Sequence, residues 1–301
     1  MDGILAKAHL GYRGRLAPSP TGLLHLGHAR TFWTAGERAR AAQGTLILRM
    51  EDLDPDRSRA DYAAAALEDL RWLGLCWQEG PDVGGPFAPY AQSERHDFYQ
   101  AAWRKLLEGG FLYPCHCSRR DLAAALSAPH ESDDPNPLED EPVYPGTCRP
   151  ARHATALPNG VAEGESTMPA NWRFRVNDGE VVEFDDLNLG PQRFIAGRDF
   201  GDFIVRRRDG VPSYQLACVV DDSAMQVTEV VRGADLLKST ARQILLNRAL
   251  GFADPAWSHC ALVADENGRR LAKRHDALSI RALRERGLSP AEILSSHLAR
   301  I

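Results

Sequence analysis

The chain has 301 residues, 44% of them hydrophobic and 26% charged, with a formal net charge of −5. This is enough apolar material for one large domain or two modest ones, and the charge argues against a general nucleic-acid binder with a basic surplus. No stretch approaches the roughly 18 uncharged apolar residues of a membrane helix, and Met1 to Gly11 has no basic region followed by an apolar run, so a cytoplasmic protein without membrane contact is expected.

In chain order, Gly14 to Ala17 reads as a short strand. Pro18-Ser19-Pro20-Thr21-Gly22 cannot continue it, because two prolines remove backbone donors and fix φ. A helix is predicted from Leu24 and a buried strand over Thr45 to Met50, together a βαβ unit. Ser58-Arg59-Ala60-Asp61 resembles a capping box ahead of Leu67, Leu70 and Leu73, with Gly74 as the stop. Ser93 is a second candidate cap, for a helix carrying Phe98, Ala102 and Leu106 and ending at Gly109-Gly110. From Cys115 the character changes, and Ser127 to Val143, rich in Pro, Ser, Asp and Glu, reads as an exposed insert. Strands are predicted within Trp172 to Phe184, Val211 to Val220 and Gln226 to Val231, then a helix over Lys238 to Leu250 stopped by Gly251, and two short helices after Asp276. The pattern predicts an α/β domain in two halves, residues 1–114 and 201–276, split by an α+β insertion at 115–200 and followed by a short helical tail at 277–301. Candidate basic patches are Arg119–Arg120 and Arg206–Arg208.

The sharpest motif is Arg15-Leu16-Ala17-Pro18-Ser19-Pro20-Thr21-Gly22-Leu23-Leu24-His25-Leu26-Gly27-His28. Two histidines three apart at a helix start share one face. A helix N-terminus favours phosphate through its open N–H groups and macrodipole, and two imidazoles there can stabilise charge developing on a reacting phosphate. Gly27 lets a flat base or ribose approach the backbone.

Six cysteines occur, and Cys115, Cys117 and Cys148 cluster around one segment, a pattern that suits metal better than a disulfide framework. Zinc takes four ligands, usually thiolate or imidazole; three cysteines leave the fourth to Tyr144, His116 or His153. Cys76, Cys218 and Cys260 read as small core residues. Asp52 and Asp54 read as a capping turn or as groups that order the active site, and Asp221-Asp222 as a possible substrate contact at a strand end.

The His25-to-His28 signature after a strand resembles that of the class I aminoacyl-tRNA synthetases. Arg49-Met50-Glu51-Asp52-Leu53-Asp54, Tyr214, Asp221-Asp222 and Val231-Arg232-Gly233-Ala234-Asp235-Leu236 carry the resemblance toward the glutamyl branch, over nearly all of residues 12 to 276. It implies a Rossmann-like nucleotide-binding domain, ATP with Mg²⁺, and L-glutamate as the amino acid. It places Pro18, Gly27, His25, His28 and Lys273 on ATP, the last three as catalytic groups, and puts Lys273 at the second-lysine position of the family's mobile Lys-Met-Ser-Lys-Ser loop. Here that loop reads Arg270-Leu271-Ala272-Lys273-Arg274, with Arg270 for the first lysine and Ala272 for the serine. By the same resemblance Arg15, Tyr214 and Arg232 hold the glutamate side chain, where a guanidinium pairs with carboxylate bidentately, and Ser19 and Glu51 take the α-amino end.

Some glutamyl synthetases carry a histidine two residues after the last cysteine of the metal set; here that residue is Pro150. Tyr144 matches the tRNA-modifying relatives, the glutamyl-queuosine tRNA(Asp) synthetases, which implies one structural zinc on Cys115, Cys117, Tyr144 and Cys148. The full glutamyl-tRNA synthetases continue into a helical anticodon-binding region, whereas this chain ends at Ile301. The expectation is therefore tRNA-independent activation of glutamate and its transfer to queuosine in the anticodon of tRNA(Asp), by a monomer. A short glutamyl-tRNA synthetase charging the 3′ end and a non-catalytic RNA-binding remnant are the other two readings.

Overall fold

The computed structural model describes residues 11–118, 121, 143–151, 170–262 and 279–298. Strand β1 (Arg13–Leu16) leads through the proline loop into helix α1 (Leu26–Ala41), which returns to β2 (Thr45–Leu48). β1 and β2 pair in parallel, Arg13 with Thr45 through Leu16 with Leu48. The turn between α1 and β2 requires Gly44, since a Cβ there would lie 2.3 Å from the Tyr12 carbonyl oxygen.

Helix α2 (Ala60–Trp72) starts later than the Ser58 box implies: Arg59 is its cap and makes no side-chain cap bond. Gly74 does end the segment, in a left-handed conformation at φ +85°. Helix α3 (His96–Glu108) likewise lacks the expected serine cap. Ser93 instead lies in a 3-10 turn, Gln92–Glu94, and donates its hydroxyl and amide to the Asp52 carboxylate at 2.7 and 2.9 Å. Phe98, expected on the inner face of α3, is exposed.

Three antiparallel strands follow, β3 (Leu112–Cys115), β4 (Asn171–Phe174) and β7 (Phe203–Arg206), in the order β3-β4-β7. The hairpin β5 (Val181–Asp186) and β6 (Gly190–Ile195) joins a different sheet, ordered β6-β5-β9-β8, in which β8 (Glu229–Gly233) and β9 (Ala256–Cys260) run parallel. β5 meets β9 in parallel at Asp186 and Trp257. β8 also lies beside β1, because the Thr228 amide donates to the Arg13 carbonyl at 2.9 Å. The parallel strands thus run β2, β1, β8, β9, β5.

Residues 211–220 do not form a strand. Helix α4 (Tyr214–Ala224) occupies most of them, with Ser213 accepting from the Leu216 amide at its start. Leu216 through Asp222 are all buried, and a helix buried all round has the unbroken apolar run that also marks a buried strand. Helix α5 (Leu237–Leu250) ends on left-handed Gly251 at φ 70°, and the tail is α6 (Ile280–Glu285) and α7 (Pro290–Leu298).

Strand alternation sorts the core into two layers. Leu46, Leu48 and Val231 face α1 and α2, while Ile47, Val230 and Trp257 face α3, α4 and α5. Helices on both faces of a parallel sheet give the doubly wound α/β architecture. No helix among the described residues is long and apolar enough to cross a membrane.

Asp221 and Asp222 therefore sit inside α4 and not at a strand end. Asp221 has no exposed surface and accepts from Arg95 Nε at 2.6 Å, Gln92 Nε2 at 2.8 Å and Tyr99 Oη at 2.9 Å. It is an internal tie between α3 and α4. Replacing it removes the counter-charge of a buried arginine, so Asp221→Ala is expected to lose about 3–5 kcal/mol of folding stability. Urea denaturation checks this, and a loss below about 1 kcal/mol, the range of an exposed ion pair, would show that the tie contributes little.

Candidate functional site

In open parallel sheets the place where successive strands leave in opposite directions opens a crevice at the carboxyl ends of the strands. Here it lies between β1 and β8. Arg15 sits near the end of β1, Arg232 near the end of β8 and His259 near the end of β9, while Arg49 and Glu51 follow β2. Arg15 and Arg232 are each only 4% exposed.

The proline loop delivers α1 to this crevice. His25 is its N-cap: its Nδ1 accepts from the Gly27 amide at 3.1 Å, and His28 Nδ1 accepts from the His25 amide at 3.1 Å. The rings lie 3.8 Å apart, and His28 stacks on Phe32. With each Nδ1 accepting, each neutral ring carries its proton on Nε2, so the pair forms two N–H donors at a helix N-terminus. Gly27 also leaves room for the capping ring: a Cβ there would stand 3.0 Å from His25 Cε1, and the ring would have to give way slightly. Lys273 and the rest of Arg270–Arg274 lie outside the described residues, but Ser279, which follows that segment, bridges to His25, and the Ile280 amide donates to the Leu24 carbonyl.

Beside the helix start, Arg15 Nη1 donates to the Val231 carbonyl at 2.8 Å, and Arg15 Nε lies 3.7 Å from Asp222 Oδ1 without a hydrogen-bond partner. Arg49 is fully buried and donates to Asp222 at 2.6 Å and to Glu51 Oε1 at 3.0 Å, an oxygen that also receives the Cys218 thiol at 3.5 Å. The Glu51 amide donates to the Pro18 carbonyl, which seats the carboxylate against the proline loop. Ser19 is exposed at the rim, and half-buried Tyr214 opens α4. Burial, then the Cys218 thiol, push the Tyr214 phenol up, opposed by the guanidiniums of Arg232 and Arg15. Arg15, Glu51 and Arg232 are thus all near enough to Tyr214 to act on its phenol.

Arg232 is held by residues the sequence did not single out. Its Nε donates to His259 Nε2 at 3.2 Å and its Nη2 to Thr240 Oγ1 at 2.6 Å, with Trp257 under the guanidinium at 5.0 Å. His259 in turn lies 2.5 Å through Nδ1 from Asp186 Oδ2. Burial, then the Arg232 charge, bring the His259 pKa down to about 4. Hydrogen bonds from the His259 side chain and from backbone amides outweigh burial and hold the Asp186 carboxyl low. His259 is a lone histidine in a short apolar strand, and no local pattern marks it.

A second cluster lies at the start of the expected insertion. The ligand atoms of Cys115, Cys117 and Cys148 are all within 4.8 Å of one another. Cys117 Sγ is 3.5 Å from Cys148 Sγ, and Tyr144 Oη is 3.5 Å from Cys115 Sγ and 3.6 Å from Cys117 Sγ. Tetrahedral zinc, with bonds of about 2.3 Å to sulfur and 2.0 Å to oxygen, sets sulfur–sulfur edges of about 3.8 Å and sulfur–oxygen edges of about 3.5 Å; the four side chains fit such an ion. Arg173 adds a neighbouring positive charge, donating to Cys115 Sγ at 3.3 Å with its guanidinium 3.8 Å over the Tyr144 ring. His116, the alternative ligand, is exposed, and His153 lies outside the described residues. Of the other cysteines, Cys218 and Cys260 are buried, but Cys76 is exposed and not a core residue. Arg206 lies over Trp103 and Arg207 pairs with Asp209, while Arg119 and Arg120 lie outside the described residues.

The model of the family "tRNA synthetases class I (E and Q), catalytic domain" matches residues 12–301. The chain belongs to that family of ligases. It is 51% identical over 286 residues to the glutamyl-Q tRNA(Asp) synthetase of Symbiobacterium thermophilum and 50% identical over 287 residues to that of Nitratidesulfovibrio vulgaris, covering 95% of this chain and 85% of each relative. To the glutamate–tRNA ligase 2 of Nitrosococcus oceani it is 45% identical, covering 95% of this chain and 58% of that one. Among solved structures, the glutamate–tRNA synthetase of Elizabethkingia anophelis matches with a TM-score of 0.75 and 31% identity, over 88% of this chain and 53% of that chain. The chain thus spans about half the length of that solved relative.

The depressed His259 pKa has a consequence for stability. An unfolded histidine titrates near 6.5 and the folded one near 4, so between those values the unfolded chain binds more protons. The contribution of neutral His259 is complete above about pH 6.5 and is lost as the pH falls toward 4, by up to about 3 kcal/mol. Denaturation midpoints measured from pH 7.5 to 4.5 are expected to fall through this window, and the fall should be shallower in His259→Gln.

Proposed function

We propose that the protein activates L-glutamate with ATP, without requiring tRNA for that step, and then transfers the glutamyl group to queuosine in the anticodon of tRNA(Asp). The observation that carries this reading is the pair of buried guanidiniums, Arg15 and Arg232, beside a helix N-terminus capped by two histidines. Buried positive groups suit a dicarboxylic amino acid and strongly disfavour neutral glutamine, which would leave a charge without its partner.

In this reading the α-carboxylate of glutamate attacks the α-phosphorus of ATP, the bond to the β-phosphate breaks, and pyrophosphate leaves. His25 and His28 donate through Nε2–H to the phosphate oxygens as charge develops, and Lys273 supports the leaving pyrophosphate. Pro18 and Gly27 shape the nucleotide side of the crevice, and Mg²⁺ accompanies the triphosphate as its counter-ion. Arg15, Tyr214 and Arg232 hold the side-chain carboxylate, while Glu51, with Ser19 at the rim, takes the α-ammonium group. A hydroxyl of the queuosine cyclopentene ring then attacks the activated carbonyl carbon and AMP leaves, with no covalent enzyme intermediate. The choice of queuosine over the 3′ end is supported by the names of the two relatives near 50% identity and by the Tyr144 pattern. Of residues 115–200, the part ahead of β5 would face the anticodon stem-loop, held at its base by one structural zinc on Cys115, Cys117, Tyr144 and Cys148, since β5 itself runs in the parallel sheet. Four protein ligands would leave a bound ion no open position, so its contribution would be to cross-link the chain.

Labelled glutamate, ATP and tRNA prepared with and without queuosine test the reaction. Glutamate-dependent ATP–pyrophosphate exchange is expected in the absence of tRNA, and label is expected only on tRNA that contains queuosine. Label on queuosine-free tRNA would favour charging of the 3′ end, and absence of any exchange would leave a non-catalytic RNA-binding role. Metal analysis is expected to find about one zinc per chain, lost in Cys117→Ala. A metal-free wild-type protein of unchanged thermal stability would remove zinc from the account.

A further inference from the structure

Arg232 and His259 are register partners on adjacent parallel strands, so their side chains leave the sheet on the same face and side by side. The bonds that hold Arg232 use Nε, toward His259, and Nη2, toward Thr240. These are the two nitrogens of the guanidinium's side edge. The end edge, formed by Nη1 and the second Nη2 hydrogen, has the geometry for a bidentate carboxylate.

Both groups on the side edge are uncharged. A carboxylate lies close by, but it is one residue removed: Asp186 meets His259 Nδ1, not Arg232. A direct Asp–Arg pair would occupy an edge and cancel the positive charge. The interposed imidazole does neither. With Nδ1–H donated to Asp186, the His259 Nε2 lone pair faces Arg232 Nε at 3.2 Å and the Thr240 hydroxyl at 3.0 Å, and Asp186 is itself fixed by the amides of Asn188, Leu189 and His259. Thr240 from α5 completes the cradle, its hydroxyl 3.2 Å from the Leu236 carbonyl.

We infer that His259, oriented by Asp186, is a positioning residue that holds Arg232 by its side edge while leaving its charge and its end edge to the side-chain carboxylate of the substrate. This rests on the reading of the site given above. The dyad sets how strongly the acidic amino acid is preferred; it touches neither substrate nor nucleotide.

Steady-state ATP–pyrophosphate exchange on the full chain, with separate KM values for glutamate and ATP, tests the role. His259→Leu leaves Arg232 Nε without an acceptor and is expected to raise the glutamate KM by about tenfold to a hundredfold, the equivalent of one hydrogen bond to a charged group, with the ATP KM within about twofold. His259→Gln retains an acceptor for Arg232 and a donor for Asp186, and is expected to recover most of that loss. Asp186→Asn no longer dictates which imidazole nitrogen carries the proton, and is expected to raise the glutamate KM alone; it carries the test if the leucine variant does not fold. An unchanged glutamate KM in these variants, or glutamate and ATP KM values rising together, would overturn the assignment and leave His259 a structural core residue. A wild-type protein without glutamate-dependent exchange overturns the reading of the site itself, and the inference with it.

Discussion

Arg49 has no exposed surface, yet its guanidinium meets Glu51 and Asp222 at hydrogen-bond distance and approaches Asp221. Taking a guanidinium out of water is costly unless every approach to it is matched. Here most of the matching comes from two elements far apart in the chain, the segment after β2 and helix α4, and Nε stays buried without a hydrogen bond, 3.8 Å from Asp221. That requirement fixes how α4 docks against the parallel sheet. Tyr214, at the start of α4, and Glu51, held on Arg49, take their places from the same constraint. Asp222 also faces Arg15, so one carboxylate sits between two buried arginines and cannot fully neutralise both.

The crevice is consequently biased toward anions by design of its pairing rather than by overall charge, which is −5 for the chain. Arg15 keeps a backbone carbonyl and a distant carboxylate; Arg232 keeps an imidazole and a hydroxyl. Both are immobilised without being cancelled. The helix start supplies the complementary half, with macrodipole and imidazole N–H donors in place of formal charge. Such a division would let the crevice tell a carboxylate from a phosphate, although both are anions, because guanidinium edges and a helix N-terminus present different donor geometries.

The cysteine cluster and the crevice are linked through the strands around them. Arg173 on β4 bonds to Cys115 on β3 and to the Asp202 carbonyl, while Tyr113 donates to the Asp202 carboxylate. Arg149, next to Cys148, reaches Asp178 and Asp202. β5, a few residues beyond β4, carries Asp186 into the crevice. The segment that holds the cysteine cluster therefore leads on to a residue in the cradle of Arg232, and the cluster and the crevice share a backbone frame.

Much of the first half of the fold was legible in the residues. Two prolines ended a strand, a helix expected from Leu24 begins at Leu26, and the apolar run after Gly44 was consistent with the buried strand it forms; each follows from neighbours in sequence. Capping was misread at Ser93 because its hydroxyl takes a partner the tertiary structure offers, Asp52, and at Ser58, whose buried hydroxyl has no partner, because the helix starts one residue later at an Arg59 cap. The span 211–220 was misread because complete burial erases the periodicity that separates helix from strand. What the sequence by itself determined was the chemical inventory and the short-range geometry: paired histidines at a helix start, arginines in or beside predicted strands, and three cysteines around one segment. What only the tertiary structure decided was the state of those groups, with Asp221 as a tie, His259 neutral, and Arg232 held but not cancelled. A side chain's charge and orientation depend on burial and on partners brought from β5, α4 and α5, and no local pattern encodes a partner that far along the chain.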